Sequence, residues 1–567
     1  MDSRQGWHVP PSGNGEAVRG ESSLLEHFGS LSLRSTARKS VSFSLRARAR
    51  LRGAATVVHS SRNDGACIPE DGATVSEHSK NRAPSGIAMN VEEFRQAAHE
   101  AVEIAARHLG GIARRKVFEP MPAEERQALL ERSLPERPVA TQAILETIER
   151  EILSRPMGNG NPRFFGWVNS PPAPMGAIAD FLASISNPSC AGGDHAAVYL
   201  ERCAVRWLMQ LTGFPVEASM GLLVSGGSAA SLTCLAAARQ RAARDHGWDV
   251  RKEGLSGKPQ LVMYVSKEGH SCLRKAAELM GMGERGVRVL PADEEFRMKP
   301  AMLLQALAED RAAGRIPFCV AASAGTVNTG AIDPLSELAD LCERERLWLH
   351  VDGAYGALGL LDPDLSERYR GMERCDSLSL DPHKWLSVPL ECGCALVRDG
   401  ALLRDTFSLV PAYLRTEEGR GFGGLPWYSE FGFQQSRGFR ALKLWATLLY
   451  AGREGIREQV CKHLSLAKRL ASLIRNAAEM ELLCEPTLSV VNFRCVPRAL
   501  HGKEEALDAL NKAVMERLQS EGEVFLTGTR IHDRFSLRVC VLHYATQEED
   551  LAFLLECVTR TCRAVSG

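Results

Sequence analysis

The stretch Asp381-Pro382-His383-Lys384-Trp385 is the strongest indication of the fold class, because it places a lysine shortly after the apolar run 377–380. A second stretch, His350-Val351-Asp352-Gly353-Ala354-Tyr355, places an aspartate at the end of the apolar run 347–351. Charged side chains are rarely buried without a partner. A lysine and an aspartate at the ends of two buried strands therefore predict a site in which both side chains carry chemistry.

Short apolar runs and helical periods alternate on both sides of these two stretches. Predicted strands lie at 261–265, 287–290, 318–322, 347–351, 377–380 and 394–397, and predicted helices at 229–243, 300–313 and 334–344. This alternation predicts an α/β fold with a mostly parallel sheet and helices on both faces. Ligands of such sheets bind at the carboxyl ends of the strands, which is where Asp352 and Lys384 lie.

Length and composition indicate a globular protein with more than one domain. The chain has 567 residues, of which 44% are hydrophobic and 24% charged, and its formal net charge is zero. A balanced charge gives no overall field that favours nucleic acid or a membrane surface. The 16 cysteines follow no disulfide or zinc spacing, which is typical of reduced thiols in an intracellular protein. The uncharged segment 218–238 is rich in Gly and Ser and predicts a loop and a helix rather than a membrane span.

The first 88 residues differ from the rest, because they are rich in Ser, Arg and Gly and lack apolar periodicity. We interpret residues 1–88 as a disordered basic extension. An organellar transit peptide, an arm for nucleic acid or anionic membranes, and upstream sequence before a true start at Met89 stay open. After this extension we predict a helical segment at 89–177, a large domain at 178–455 and a small α+β domain at 456–567. A cytoplasmic location is expected, and import into an organelle stays open.

Lys384 and Asp352 together indicate pyridoxal 5'-phosphate (PLP) chemistry. The lysine amine can condense with the cofactor aldehyde, and the aspartate can hold a proton on the ring nitrogen, which makes the ring an electron sink. The turn Val224-Ser225-Gly226-Gly227-Ser228 precedes a helix and predicts a phosphate site at Gly227 and Ser228. An ordinary helix cap at the turn and a turn-capping aspartate at 352 are the alternatives.

Four further residues are candidates for the same site. His270 can stack on one face of the ring while Ala354 packs on the other, and His383 can bind the phosphate. Tyr428 ends a Gly- and Glu-rich segment, 415–428, that is typical of a lid, and it can deliver a proton to carbon. The alternatives are a structural histidine at 270 and an interface tyrosine without chemistry at 428.

From Met89 to nearly its end, the chain resembles the group II PLP-dependent amino-acid decarboxylases, the family of aromatic L-amino-acid decarboxylase. The motifs are Pro162-Arg163-Phe164-Phe165, Ser225-Gly226-Gly227-Ser228, Gly325-Thr326, His350-Val351-Asp352, Asp376-Ser377, Pro382-His383-Lys384-Trp385 and Phe439-Arg440-Ala441-Leu442-Lys443-Leu444-Trp445. The resemblance implies PLP fold type I, the aspartate-aminotransferase fold. It also implies a homodimer whose lid loop reaches across the interface into the partner's site.

The resemblance assigns roles residue by residue. Lys384 carries the cofactor, Asp352 binds the ring nitrogen, His270 stacks, and Gly227, Ser228 and His383 hold the phosphate. Tyr428 falls at the lid tyrosine, Ser170 at a substrate contact, and Trp167 at an aromatic wall of the substrate pocket. Departures from the family pattern are Asp381 in place of an asparagine near the phosphate, Val327 in place of a threonine beside Thr326, and the small residues Ser189 and Ala191.

The sequence therefore predicts PLP-dependent decarboxylation of an L-amino acid, in the first instance an aromatic one. A non-aromatic acid such as diaminobutyrate or glutamate, aldehyde synthesis, and a PLP-binding regulator without catalysis are the alternatives. No metal, nucleic acid or membrane partner is expected.

Overall fold

The computed structural model describes residues 86–410, 421–425 and 427–566. The basic extension, up to residue 85, and half of the predicted lid at 415–428 lie outside the described residues. The boundaries drawn at 88, 177 and 455, and the cytoplasmic location, stay predictions. No described helix is long and apolar enough to cross a membrane.

Helices form the part of the described chain that precedes the first strand. They are α1 (Val91–Gly111), α2 (Ala123–Leu130), α3 (Thr141–Thr147), α4 (Pro174–Ser186) and α5 (Ala196–Thr212). Asn90 caps α1, because its carboxamide accepts from the Glu93 backbone N–H at 2.9 Å. The Glu93 side chain does not return the bond to Asn90 and instead accepts from the Thr141 hydroxyl at 2.8 Å, which ties α1 to α3.

A seven-stranded sheet follows. Its strands are β1 (Met220–Val224), β2 (Leu261–Ser266), β3 (Val287–Leu290), β4 (Ile316–Ser323), β5 (Trp348–Asp352), β6 (Ser377–Leu380) and β7 (Gly393–Val397). The order is β1-β7-β6-β5-β4-β2-β3, and β7 alone runs antiparallel to its neighbours. The predicted strands are confirmed to within two residues at either end. The prediction of only a loop and a helix at 218–238 is wrong, because Met220–Val224 is a fully buried strand paired with β7.

Helices cover both faces of this sheet, as the apolar alternation predicted. They are α6 (Gly227–Asp245), α7 (Val250–Glu253), α8 (Cys272–Leu279), α9 (Pro300–Ala312), α10 (Leu335–Glu345) and α11 (Gly400–Phe407). Alternate residues of β5 enter two different cores: Trp348 packs with the residues of α6 and α8, while Leu349 and Val351 pack on the opposite side. The sheet is therefore buried on both faces, as parallel sheets require.

The C-terminal part contains a second sheet. The strands β8 (Met480–Cys484), β9 (Val490–Cys495), β10 (Thr527–Ile531) and β11 (Arg534–Cys540) pair antiparallel in the order β10-β11-β9-β8. The helices are α12 (Arg440–Asn476), α13 (Glu504–Glu521) and α14 (Glu548–Ser566). This part therefore combines helices with an antiparallel sheet. Fifteen described cysteines are free thiols, and most of them are buried.

Candidate active site

A cavity of about 530 Å³ lies at the carboxyl ends of the central strands, where the fold places ligands. Loops after β2, β4, β5 and β6 and the start of α6 supply its walls. Of the residues predicted for the site, the following line it: Trp167, Gly227, Ser228, His270, Thr326, Asp352, Ala354, Asp381, His383 and Lys384. The tertiary structure therefore brings into one cavity residues that are far apart in the sequence.

Lys384 lies in the turn that follows β6, and its amine points into the cavity. The Lys384 Nζ lies 3.0 Å from Asp381 Oδ2, and its backbone N–H donates to the Asp381 carbonyl at 2.9 Å. The next residue anchors the turn: Trp385 is buried, stacks on Tyr355 with ring centroids 5.3 Å apart, and donates its indole N–H to His463 Nδ1 at 2.9 Å. A reactive amine is thus carried on a rigid backbone.

Asp352 is the last residue of β5, and its carboxylate is oriented by two donors. Its Oδ1 accepts from the Ser379 hydroxyl and from the Ala354 backbone N–H, both at 3.1 Å. Ser379 lies opposite Asp352 in the β5/β6 ladder. Since both bonds involve Oδ1, neither engages Oδ2, and a protonated ring nitrogen can bind there.

The start of α6 forms a cradle that leaves little room for a side chain at Gly227. A Cβ added to Gly227 would lie 2.9 Å from Asp381 Oδ2 and 3.0 Å from the Ala354 Cβ. A Cβ added to Gly226 would lie 3.4 Å from the His383 ring. Free backbone N–H groups and the positive dipole end make a helix start an anion site, so the cradle fits the phosphate of PLP.

Asp381 enters this cradle as a buried carboxylate. Its Oδ2 contacts the Lys384 amine, and its Oδ1 is buried without a hydrogen-bond partner among the described residues. The His383 Nε2 lies 3.7 Å from Asp381 Oδ2, while His383 Nδ1 contacts the Cys392 carbonyl at 2.8 Å. Burial lowers the pKa of His383, and the Asp381 charge opposes that shift.

Two other polar side chains of the cavity are held by short local contacts. His270 Nδ1 accepts from the Cys272 backbone N–H at 3.2 Å, which leaves Nε2 free of that bond. The Thr326 hydroxyl lies 2.9 Å from that of Thr329. An imidazole with a fixed ring orientation fits a residue that stacks on the cofactor.

Several residues of the site were not predicted. Glu268 and Glu391 line the cavity, and Glu391 pairs with Arg440. The position of Glu268 in the turn before His270 was the only local signal. Arg538 of β11 is buried and donates to the backbone carbonyls of Trp167 and Val327, both cavity-lining residues. No sequence pattern near Arg538 indicates this contact.

Two predicted residues do not line the cavity. The Ser170 hydroxyl donates to the His383 carbonyl at 3.1 Å, so Ser170 supports the lysine turn from behind. Tyr428 is fully buried, and its hydroxyl has no hydrogen-bond partner within the described part of the chain. Its ring lies 4.6 Å from the Arg437 guanidinium and 5.1 Å from that of Arg202. Burial raises the pKa of Tyr428 well above its ordinary value.

The placement of Tyr428 follows from how tightly the preceding residues pack. A Cβ added to Gly192 would lie 2.1 Å from Trp427 Cγ, and one added to Gly193 would lie 2.1 Å from the Phe422 ring. The two glycines therefore let Phe422 and Trp427 lie against the backbone. In this arrangement the Tyr428 side chain enters the core between α5 and the segment before α12, away from the cavity of its own chain.

Comparison with known proteins assigns the family. The family model described as the pyridoxal-dependent decarboxylase conserved domain matches residues 122–496. The chain therefore belongs to the pyridoxal-dependent decarboxylase family, and the predicted family, enzyme class and cofactor are confirmed. Lys384, Asp352 and the cradle at Gly227 all lie within the matched residues.

Individual relatives cover most of the chain. An aromatic-L-amino-acid decarboxylase of Bacillus atrophaeus is 32% identical over 480 residues, which are 84% of this chain and 97% of that protein. The crystal structure of Oryza sativa TDC with PLP and tryptamine matches with a TM-score of 0.79 and 26% identity, covering 85% of this chain and 100% of that one. Catharanthus roseus tryptophan decarboxylase in complex with L-tryptophan matches with a TM-score of 0.75 and 25% identity, covering 84% and 99%. The predicted PLP fold type I is confirmed.

Proposed function

We propose that this protein decarboxylates an aromatic L-amino acid and releases carbon dioxide and the corresponding amine. The observation that carries the proposal is the convergence of the Lys384 amine, the Asp352 carboxylate and the glycine cradle in one cavity. An aromatic side chain is supported by the names of the relatives and by the Trp167 indole, which is 48% exposed and lines the cavity.

The residues of the cavity divide the work of holding the cofactor. The Lys384 amine binds it covalently, the Asp352 carboxylate holds a proton on its ring nitrogen, and the Gly227 and Ser228 amides bind its phosphate. Bound PLP supplies the electron sink for the electron pair left when the carboxyl group departs. Thr326 and His383 complete the binding set.

The remaining residues position the reaction. His270 and Ala354 pack on the two faces of the ring, and Trp167 packs against the substrate side chain. They must hold the bond from Cα to the carboxylate perpendicular to the ring, because the perpendicular bond is the one that breaks. The Lys384 amine, 3.0 Å from Asp381 Oδ2, would stay beside the reacting atoms while substrate is bound.

We propose further that the active protein is a homodimer. The support is a contiguous exposed apolar face. Ile178, Phe181, Leu182 and Ile185 lie on one side of α4, and Phe94 of α1 packs against Phe181 with ring centroids 6.3 Å apart. In α3 and just after it, Ile144, Ile148 and Ile152 are also exposed in the single chain. A second copy that covers this face removes it from water.

The role of Tyr428 depends on that dimer. We propose that the segment ending at Tyr428 leaves its packing against Gly192 and Gly193 and reaches the cavity of the partner subunit, where Tyr428 protonates Cα. Support comes from the Tyr428 hydroxyl, which has no hydrogen-bond partner among the residues that the structure describes. The burial of that hydroxyl therefore does not explain why a tyrosine stands at this position.

The decisive experiment is release of carbon dioxide from single L-amino acids by PLP-loaded protein, with product analysis. The panel holds Trp, Tyr and Phe beside glutamate and 2,4-diaminobutyrate. We expect amine and carbon dioxide from an aromatic acid, and loss of the visible absorbance of lysine-bound PLP in Lys384→Ala. Aldehyde as the main product, turnover of only the non-aromatic acids, or bound PLP without carbon dioxide release would each overturn the proposal.

A further inference from the structure

Trp385, the residue after Lys384, begins a chain of buried hydrogen bonds whose directions are fixed. Its indole N–H, which can only donate, lies 2.9 Å from His463 Nδ1, so this nitrogen is the acceptor. His463 is fully buried, and burial lowers its pKa to about 3, so its ring is neutral and carries its one proton on Nε2. The Nε2–H group then donates to the His543 carbonyl at 3.2 Å.

The chain continues from His543 to the segment that carries the aromatic wall of the cavity. The Ala545 backbone N–H donates to His543 Nδ1 at 3.0 Å, and burial lowers the pKa of His543 to about 4, so this ring is also protonated on Nε2 alone. The Nε2–H group donates to the Gly160 carbonyl at 2.9 Å. Gly160 precedes Trp167, whose own carbonyl accepts from Arg538. The lysine turn and the segment that leads to Trp167 are therefore both tied to the C-terminal part of the chain.

The other contacts of Trp385 fix its ring and its backbone. The ring stacks on Tyr355, with centroids 5.3 Å apart, and the Tyr355 hydroxyl accepts from the Ser489 backbone N–H at 3.0 Å. The Trp385 carbonyl accepts from the Gln459 side-chain amide at 3.0 Å. Gln459 and His463 are one turn apart on α12, so one helix holds both the backbone and the indole of Trp385.

The backbone passes this constraint to the Lys384 amine. Lys384 and Trp385 share a planar peptide unit, and the Lys384 carbonyl accepts from the Ser387 N–H at 3.0 Å, which closes the turn around Trp385. In the covalent step the neutral amine adds to the cofactor aldehyde and one water leaves, so the amine must meet the aldehyde carbon at a defined distance and angle. A buried network in which every member is paired holds one such arrangement.

We infer that His463 is a positioning residue for Lys384. It holds the Trp385 indole against Tyr355, and the turn that Trp385 anchors then presents the Lys384 amine to the cofactor aldehyde. An apolar side chain at 463 would leave the indole N–H buried without this acceptor, and relief of that cost favours a shift of the turn. The inference rests on the proposed function, in which Lys384 binds PLP covalently.

The test compares the affinity of the apoprotein for PLP and for pyridoxine 5'-phosphate, which has an alcohol in place of the aldehyde and does not condense with an amine. His463→Leu should raise the Kd of PLP about tenfold and that of pyridoxine 5'-phosphate by less than about twofold, because only the covalent step depends on the amine. Trp385→Phe keeps a ring on Tyr355 but lacks the N–H, and it should show the same selective loss.

His463→Gln is the conservative variant. Its amide can accept from the Trp385 indole and donate to the His543 carbonyl, so it should recover at least half of the lost PLP affinity on a logarithmic scale. Trp348→Phe is the matched control. Trp348 is also fully buried and donates its indole N–H, to Ser377 Oγ at 2.8 Å, but it lies at the opposite end of β5 from Asp352. This variant should leave the ratio of the two Kd values unchanged.

Equal weakening of both ligands by His463→Leu would overturn the inference, because it would make His463 a packing residue for the whole site. Wild-type PLP affinity in that variant would overturn it as well. If His463→Leu does not fold, Trp385→Phe decides by the same two criteria. Failure of the proposed function is a different result: wild-type protein that binds PLP covalently but releases no carbon dioxide would sink the function and leave the comparison of the two ligands valid.

Discussion

The Asp381 carboxylate lies 3.0 Å from the Lys384 amine and at the same time closes one side of the cradle formed by Gly226 and Gly227. A negative charge thus stands where an anionic phosphate is expected, and the lysine that must react neutralises it. The departure from the family pattern at 381 is therefore compensated inside the site. The Lys384 amine no longer neutralises the Asp381 charge once it is part of a covalent bond.

Replacing Asp381 by asparagine should tighten PLP binding. Two like unit charges about 4 Å apart repel by about 4 kcal/mol at an effective dielectric constant of 20. Part of this is offset by the lost contact with Lys384, and we expect the Kd of PLP to fall about tenfold, as measured by titration of apoprotein. Asp180→Asn breaks a lysine pair outside the cavity, to Lys443, and should change nothing. Equal or weaker PLP binding in Asp381→Asn would show that the carboxylate does not face the phosphate.

Gly227→Ala should weaken PLP binding without unfolding the protein. The new methyl group would lie about 3 Å from Asp381 Oδ2 and from the Ala354 Cβ, so these groups, which line the cavity, would have to shift. We expect the Kd to rise at least about tenfold, or about 1.4 kcal/mol. Gly110→Ala, where the added Cβ meets open space, is the control. Wild-type affinity in Gly227→Ala would place the phosphate elsewhere.

The Glu201–Arg437 pair should be the most costly charge pair to break. Both side chains are almost fully buried, and Arg437 also donates to the carbonyls of Cys190 and Leu223. Glu201→Ala leaves an unpaired buried guanidinium, which costs roughly 3–5 kcal/mol. Thermal unfolding should show a clearly lower midpoint. The exposed pair of Arg374 and Glu343 supplies the comparison, and Glu343→Ala with an equal effect would contradict this account.

Tyr428→Phe should separate stability from chemistry. The hydroxyl is buried and has no partner among residues 86–410, 421–425 and 427–566, so its removal should leave the thermal midpoint unchanged or slightly higher. If Tyr428 protonates Cα in the partner's site, amine production should be lost while PLP binding stays normal. Full amine production by Tyr428→Phe would remove Tyr428 from the mechanism. A large drop in the midpoint would show that the hydroxyl has a partner.

The protein should lose stability as the pH falls below about 6.5. Burial lowers the pKa of His350 and of His543 to about 4 and that of His463 to about 3. These histidines are neutral in the folded state and protonated in the unfolded state between about pH 6.5 and pH 4. Each proton taken up on unfolding lowers the free energy of unfolding by about 1.4 kcal/mol per pH unit. Thermal midpoints measured from pH 7.5 to pH 5 check the direction, and an unchanged midpoint would contradict the neutral state.

His463→Gln offers a control for that pH dependence. It removes one of the three protons, so the midpoint should fall less steeply with decreasing pH than in the wild type. An identical slope would show that His463 is not neutral in the folded protein.

The sequence by itself determined the class of fold and the chemistry of the site. Apolar runs that alternate with helical periods report burial on both faces of a strand, and the lysine, the aspartate and the glycine turn lie at strand ends where such sheets bind ligands. These signals are local, since each depends on a few neighbouring residues. They therefore located Lys384, Asp352 and Gly227 without a structure.

Only the tertiary structure decided which groups meet. The strand Met220–Val224 was missed because its Gly and its neighbouring Ser residues suggest a loop, and its pairing with β7 is a long-range choice. The order of the strands decides that Arg538 reaches the cavity and that Asp381 contacts Lys384 there. The space left by Gly192 and Gly193 decides the burial of Tyr428. The partner of a buried polar group is set by the segments that the folded sheet brings together, and no local pattern records that.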